Sequence, residues 1–180
     1  MDFYWVGAGA RIAGTLVHRW LQYTAQGNLD LADLDESAVR KESGRWIREM
    51  GIAEVDSGPI IDRTVDSLTS MAADEKGRWL LSGDGHVELP LTGLVGSRTE
   101  SLVLDRVRID DAGVHWIVDY KTSSHEGGKL SSFLDAEVER YRPQLEKYAQ
   151  LYRNYADVDI RCALYFPLLQ EFIEVDVGLS

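Results

Sequence analysis

The chain is poor in the residues that would settle its chemistry cheaply. It has one cysteine, Cys162, in 180 residues. No internal disulfide can form, and a four-cysteine zinc or iron–sulfur site is excluded. A reducing, cytoplasmic setting is the default expectation for such a chain. No Gly-x-x-x-x-Gly-Lys-Ser/Thr loop is present, so the sequence excludes an ATP-driven motor within this chain. Long hydrophobic runs are missing as well. The start, Met1 to Ala10, is apolar but too short and too interrupted to span a membrane, and it does not read as a signal peptide. It reads instead as a piece of a longer chain. Positive charge is also scarce: 19 Lys and Arg face 30 Asp and Glu, a net charge of −11. That balance counts against simple nucleic-acid binding, which rests on Lys and Arg. A module that receives its substrate from a neighbour needs little affinity of its own.

What is there is ordinary globular composition, 44% hydrophobic and 27% charged, enough to bury a core. The length suits a single domain, with a mainly helical part over residues 1–77 and a sheet core over 78–180. Apolar spacing predicts a helix over about 12–26, with Ile12, Leu16, Trp20 and Tyr23 on one face. Asp35 caps a second helix ending near Met50 and closed by Gly51; Pro59 opens a third, to about Ala73. The period then turns from helical to alternating. Trp79–Leu81 and His86–Leu91 read as short strands. Strands over 102–110 and 116–122 follow, joined by the turn-forming Asp110-Asp-Ala-Gly113. Thr122 to Lys129 reads as a mobile loop, and a long helix runs over about 132–155, interrupted or restarted at Pro143. Val158–Phe166 and Phe172–Val177 are the closing strands. This order predicts an α/β domain with a mixed sheet and helices packed on it.

The second of the paired strands ends in Asp119-Tyr120-Lys121. Strand side chains alternate faces, so Asp119 and Lys121 point the same way. A hairpin would bring Asp105 onto that face. Two carboxylates and a lysine then meet, the minimal kit for a divalent metal and an activated water. The competing reading is a structural salt bridge, because Asp119 sits in an apolar strand and needs a partner such as Lys121 or Arg106. Phosphodiester hydrolysis needs an activated water, neutralised phosphate charge and help for the leaving oxygen; a hard cation such as Mg²⁺ serves all three.

Leu104-Asp-Arg-Val107, Trp116-Ile-Val-Asp-Tyr-Lys-Thr122 and Pro143-Gln-Leu-Glu-Lys-Tyr-Ala149, with Gly14-Thr-Leu-Val-His18 upstream, together resemble the RecB-type exonuclease domain of the PD-(D/E)XK, restriction-endonuclease-like superfamily. The resemblance covers about Gly14 to Tyr148. It implies a restriction-endonuclease-like mixed central sheet flanked by helices, with an N-terminal helical part. It implies Mg²⁺ or Mn²⁺ as cofactor and single-stranded DNA as the expected substrate. A UvrD/Rep-type helicase in the same chain or complex would be the partner, in repair and recombination in a bacterial cytoplasm. By motif it assigns His18, Asp105, Asp119 and the Tyr120 carbonyl as metal ligands and Lys121 as the catalytic lysine. Gln144 and Tyr148 would contact DNA or support the site. Glu88 is a secondary, metal-proximal carboxylate, or else an exposed strand residue.

Without the resemblance His18 is a packing or surface residue, and Gln144 and Tyr148 are ordinary helix surface with an aromatic edge in the core. His86, His115 and His125 match no motif. Arg140, Arg142, Lys147 and Arg153 either track a phosphate backbone or solvate their helix. Two departures stand out. Val103 replaces a glycine that the family often carries, and Cys162 alone excludes the iron–sulfur branch. The rival readings are a non-catalytic DNA-binding or docking module of the same fold, and an unrelated α/β protein with a structural Asp–Lys pair.

Overall fold

The computed structural model describes residues 2–52, 57–125 and 127–178, without the side chains of residues 2–8. The chain divides into two compact units. The first comprises residues 1–81, 121–123 and 167–170; the second comprises 82–120, 124–166 and 171–180.

The first unit is helical. Helix α1 spans Asp2–Ala25, α2 Glu36–Glu49, α3 Ser57–Ala73 and α4 Glu75–Leu81. The apolar stripe of α1 buries Ala13, Leu16, Val17, Trp20 and Leu21, the 3.6-residue spacing of a helix with one covered face. The Asp35 carboxylate caps α2 by accepting from the backbone N–H of Ser37 and Ala38, which satisfies donors that the first turn leaves open. Pro59 sits in the first turn of α3, where its missing N–H costs nothing. Helix α3 packs against α1, α2 and α4 and so forms the centre of this unit.

The second unit is a five-stranded sheet with strands in chain order: β1 (Gly85–Val95), β2 (Arg98–Ile109), β3 (His115–Tyr120), β4 (Ile160–Phe166) and β5 (Glu171–Val175). Every neighbouring pair is antiparallel except β3 and β4. A parallel pair needs a long crossover, and α5 (Leu130–Tyr155) supplies it, packing on β1, β3, β4 and β5. The mixed sheet with flanking helices is the expected fold class.

Several expectations about elements are corrected. Trp79–Leu81 is not a strand but the last turn of α4. Asp74 starts that helix by accepting from the Gly77 N–H at 2.9 Å, and Leu80 and Leu81 are buried. Three apolar residues in a row carry no period that separates helix from strand. The strand expected at His86–Leu91 continues to Val95 and turns tightly at Gly96, φ +63°, into β2, making one long hairpin. Pro90 is tolerated because β1 is an edge strand. Pro143 lies inside α5 without ending it. Helix α1 also begins well before residue 12. Among the described residues no helix is long and apolar enough to cross a membrane.

Candidate active site

The second unit lines up three carboxylates across three strands. In the β1–β2 register Val87 pairs with Arg106 and Leu89 with Leu104, which sets Glu88 opposite Asp105. In the β2–β3 register Arg106 pairs with Val118, and one step further sets Asp105 opposite Asp119. The row is therefore Glu88, Asp105, Asp119. The turn that sequence placed at Asp110–Gly113 closes this second pairing: the Gly113 N–H reaches the Asp110 carbonyl at 3.0 Å, with Gly113 at φ +81°.

Glu88 is unusual in the middle of a strand, with φ +48°. Such a backbone is uncommon outside glycine, asparagine and aspartate, and it costs on the order of 1–3 kcal/mol. No residue is inserted, because the register continues unchanged on both sides. The carboxylate oxygens of Glu88 and Asp105 lie within 4.8 Å of each other, and both side chains are half-buried. No sequence signal marks this distortion, and Glu88 is half-buried rather than exposed.

Each acid is held. Asp105 Oδ2 accepts from the Tyr120 N–H at 2.9 Å. Asp119, 3% exposed, accepts through Oδ1 from Gln144 Nε2 at 3.0 Å. The same Gln144 amide donates to the Tyr148 hydroxyl at 2.5 Å. Gln144 and Tyr148 are one turn apart on α5, so they share a face. Burial pushes the Tyr148 hydroxyl well above its usual range, and the Asp119 charge adds to the shift. Tyr148 therefore stays protonated and keeps a donor beside the acid. Tyr120 is pushed up the same way, chiefly by burial.

Arg106 is 1% exposed and donates to the main-chain carbonyls of Ser82, Gly83 and His86, each at 3.2 Å. Burial lowers its pKa. It ties down the turn that leads into Glu88. Sequence alone offers it only as a salt-bridge partner for Asp119, because carbonyl bonds across 20 or more residues leave no local pattern.

Lys121 follows β3 directly, in the short segment Lys121–Ser123 that belongs to the helical unit. Its neighbour Thr122 is fixed there. The Thr122 carbonyl accepts from Arg63 Nη2 at 2.6 Å. A Cβ on Gly14 would come within 3.1 Å of Thr122 Oγ1, so glycine suits this close approach. Arg63 fixes the segment that follows Lys121, a role that the sequence did not reveal. His18 lies one turn after Gly14 on α1, half-buried. The cations of α5 are largely matched by acids: Arg140 with Glu137, Arg142 with Glu139, and Lys147 with Glu100. That fits solvation of the helix better than a bare phosphate track.

The chemistry of this donor set suits a hard cation. Carboxylate oxygens converge, and no thiolate is near enough to favour a softer metal: Cys162 is buried, with its thiol pushed up to about 12 by that burial. The sequence profile of the PD-(D/E)XK nuclease superfamily matches residues 7–172, and the chain belongs to that superfamily. Membership carries nuclease activity in general, with divalent metals as cofactors. No curated protein matches the chain.

Proposed function

We propose that this chain is a Mg²⁺- or Mn²⁺-dependent deoxyribonuclease of RecB type, an exonuclease on single-stranded DNA. It would work with a UvrD/Rep-type helicase in bacterial DNA repair and recombination. The observation that carries the nuclease reading is the register-aligned row Glu88, Asp105, Asp119 followed by Lys121, inside a superfamily match that spans both motifs. The single-strand, helicase and cytoplasmic parts rest on the motif resemblance. The acidity of the chain counts against strong DNA affinity of its own, and delivery of substrate by a motor reconciles it with this reading.

In this reading Asp105, Asp119, the Tyr120 carbonyl and His18 hold the cation, with Glu88 beside it. When bound, the cation supplies water activation and neutralises charge on the phosphate. Lys121 orients the attacking water and steadies the phosphate oxygens as charge builds in line with the leaving oxygen. Gln144 and Tyr148 keep Asp119 in one rotamer. Arg63 holds Thr122, and through the chain the backbone of Lys121.

A non-catalytic module is the second reading, favoured by the net charge of −11 and by the acid-matched cations of α5. The test is cleavage of end-labelled single-stranded DNA by wild type and Lys121→Ala, with Mg²⁺, Mn²⁺ or EDTA. Metal-dependent cleavage lost in the variant supports the nuclease. A folded wild type that binds neither Mn²⁺ by calorimetry nor cleaves, alone or fused to a helicase, refutes it.

A further inference from the structure

The helical unit carries a notch of about 380 Å³ between α1 and α2, built from residues that the proposed chemistry does not use. Its aromatic wall is rigid. The Trp20 and Trp46 rings lie 4.7 Å apart, and Trp20 Nε1 is anchored to Ser43 Oγ at 2.9 Å. Tyr23 meets Trp20 edge-on at 5.8 Å yet stays 41% exposed. The Arg19 guanidinium lies over the Trp46 ring, 4.0 Å from its centre, and also lines the notch.

Part of the polar lining is unspent. Among the described residues, the side-chain amides of Gln22 and Gln26 make no hydrogen bond, and Arg19 forms no salt bridge. Arg45 differs, since Glu42 and Glu49 both hold it. Gln22 and Gln26 are one helical turn apart and so share a side. Each amide offers donors and an acceptor in one plane. The notch thus combines an exposed ring, a guanidinium over an aromatic ring and two free amide edges, while the Glu42 carboxylate on the same lining is paired with Arg45.

We propose that this notch binds a nucleobase of unpaired DNA, separately from the carboxylate row. Bases stack on tyrosine faces and on guanidinium planes. Glutamine amides pair with base edges, adenine above all. The base must be unpaired, because a duplex hides both its faces and its pairing edge. The choice of DNA as the source of the base rests on the nuclease reading; the base-binding chemistry does not.

The test uses the whole chain in EDTA, which prevents cleavage. Fluorescence anisotropy compares a labelled adenine-rich single strand with a labelled duplex, and unlabelled dAMP serves as competitor. The single strand should bind more tightly than the duplex. Tyr23→Ala and the double variant Gln22→Ala/Gln26→Ala should each weaken it about tenfold, with melting temperatures close to wild type because these side chains are exposed or half-buried. Competition by dAMP would assign the notch to free nucleotides as well. Competition by oligonucleotide alone would assign it to the strand. Both outcomes support a base site. Folded variants that bind like wild type overturn it, as does a wild type that prefers duplex. A wild type that binds single strands but neither binds Mn²⁺ nor cleaves, alone or fused to a helicase, defeats the nuclease reading and leaves the base site standing.

Discussion

The carboxylate row and the α1–α2 notch are both polar, yet they are built in opposite ways. In the row, polar groups are tied to one another: Asp119 to Gln144, Gln144 to Tyr148, Asp105 to the Tyr120 N–H. In the notch, Gln22 and Gln26 are tied to nothing among the described residues. The contrast teaches what each can do. Fixed acceptors cost little reorganisation when a cation or a developing charge arrives. Untied amides on a rigid aromatic wall can adapt to a ligand edge. The largest way to break the comparison is to remove the fixed chemistry itself. Asp119→Ala and Lys121→Ala should each lower metal-dependent cleavage by about a thousandfold or more. Anisotropy in EDTA should still show single-strand binding. Loss of both together would mean that the two regions are not separable.

A smaller effect is expected one step out from the acids. Gln144→Ala removes the bond that orients Asp119 and leaves Tyr148 in place. Groups that orient metal ligands typically matter about 10- to 100-fold in affinity or activity. Mn²⁺ titration calorimetry and steady-state kinetics should both show a loss in that range. Gln144→Glu should not rescue it, because the added carboxylate faces Asp119. An effect on DNA affinity alone would instead place Gln144 in substrate contact.

The row was more legible than the notch, for physical reasons. Strand alternation and a turn signal were enough to bring Asp105 beside Asp119, because both facts are local. The cap at Asp35 was legible for the same reason. Glu88 could be named, but not its positive φ, which depends on how β1 meets β2. Arg63 was invisible because its partner, Thr122, is 59 residues away. Trp79–Leu81 misled because a short apolar run has no period, and Pro143 misled because the rest of α5 packs on four strands and carries the helix through one missing donor. The notch drew no attention, since Trp20 and Tyr23 satisfied the expected apolar face.

Backbone sensitivity should follow the same divide. Gly85 opens β1 at φ +140°, and a Cβ there would lie 1.9 Å from the Val107 carbonyl oxygen. Gly85→Ala should destabilise the chain by about 3 kcal/mol and shift the denaturant midpoint accordingly. Gly58, in the first turn of α3, has open space around its Cβ position. Gly58→Ala should be neutral or stabilise by up to about 1 kcal/mol, through helix propensity and a less free unfolded chain. Equal effects at the two sites would remove the distinction between a tightly registered hairpin and a more tolerant helical part.

The smallest expected effect concerns the turn that brings β2 back along β3. Asp110 accepts from the Trp116 indole N–H at 2.9 Å and from the backbone N–H groups of Val114 and Ala112, each also at 2.9 Å. The Trp116 bond, ahead of the backbone bonds, holds its carboxyl below the ordinary range. A carboxylate with a depressed folded pKa stabilises above its unfolded value and stops doing so as pH falls through the folded one. The loss should therefore begin near pH 4, the ordinary value for aspartate, and continue below it. Thermal melts of wild type and Asp110→Asn should differ most at neutral pH, with wild type higher, and converge toward pH 2. The carboxyl is partly exposed, so the difference should be small, and it should shrink little in salt, because short hydrogen bonds rather than distant charges hold the group. Melts that stay parallel down to pH 2 would show that the Asp110 charge contributes nothing and that the residue acts through turn geometry alone.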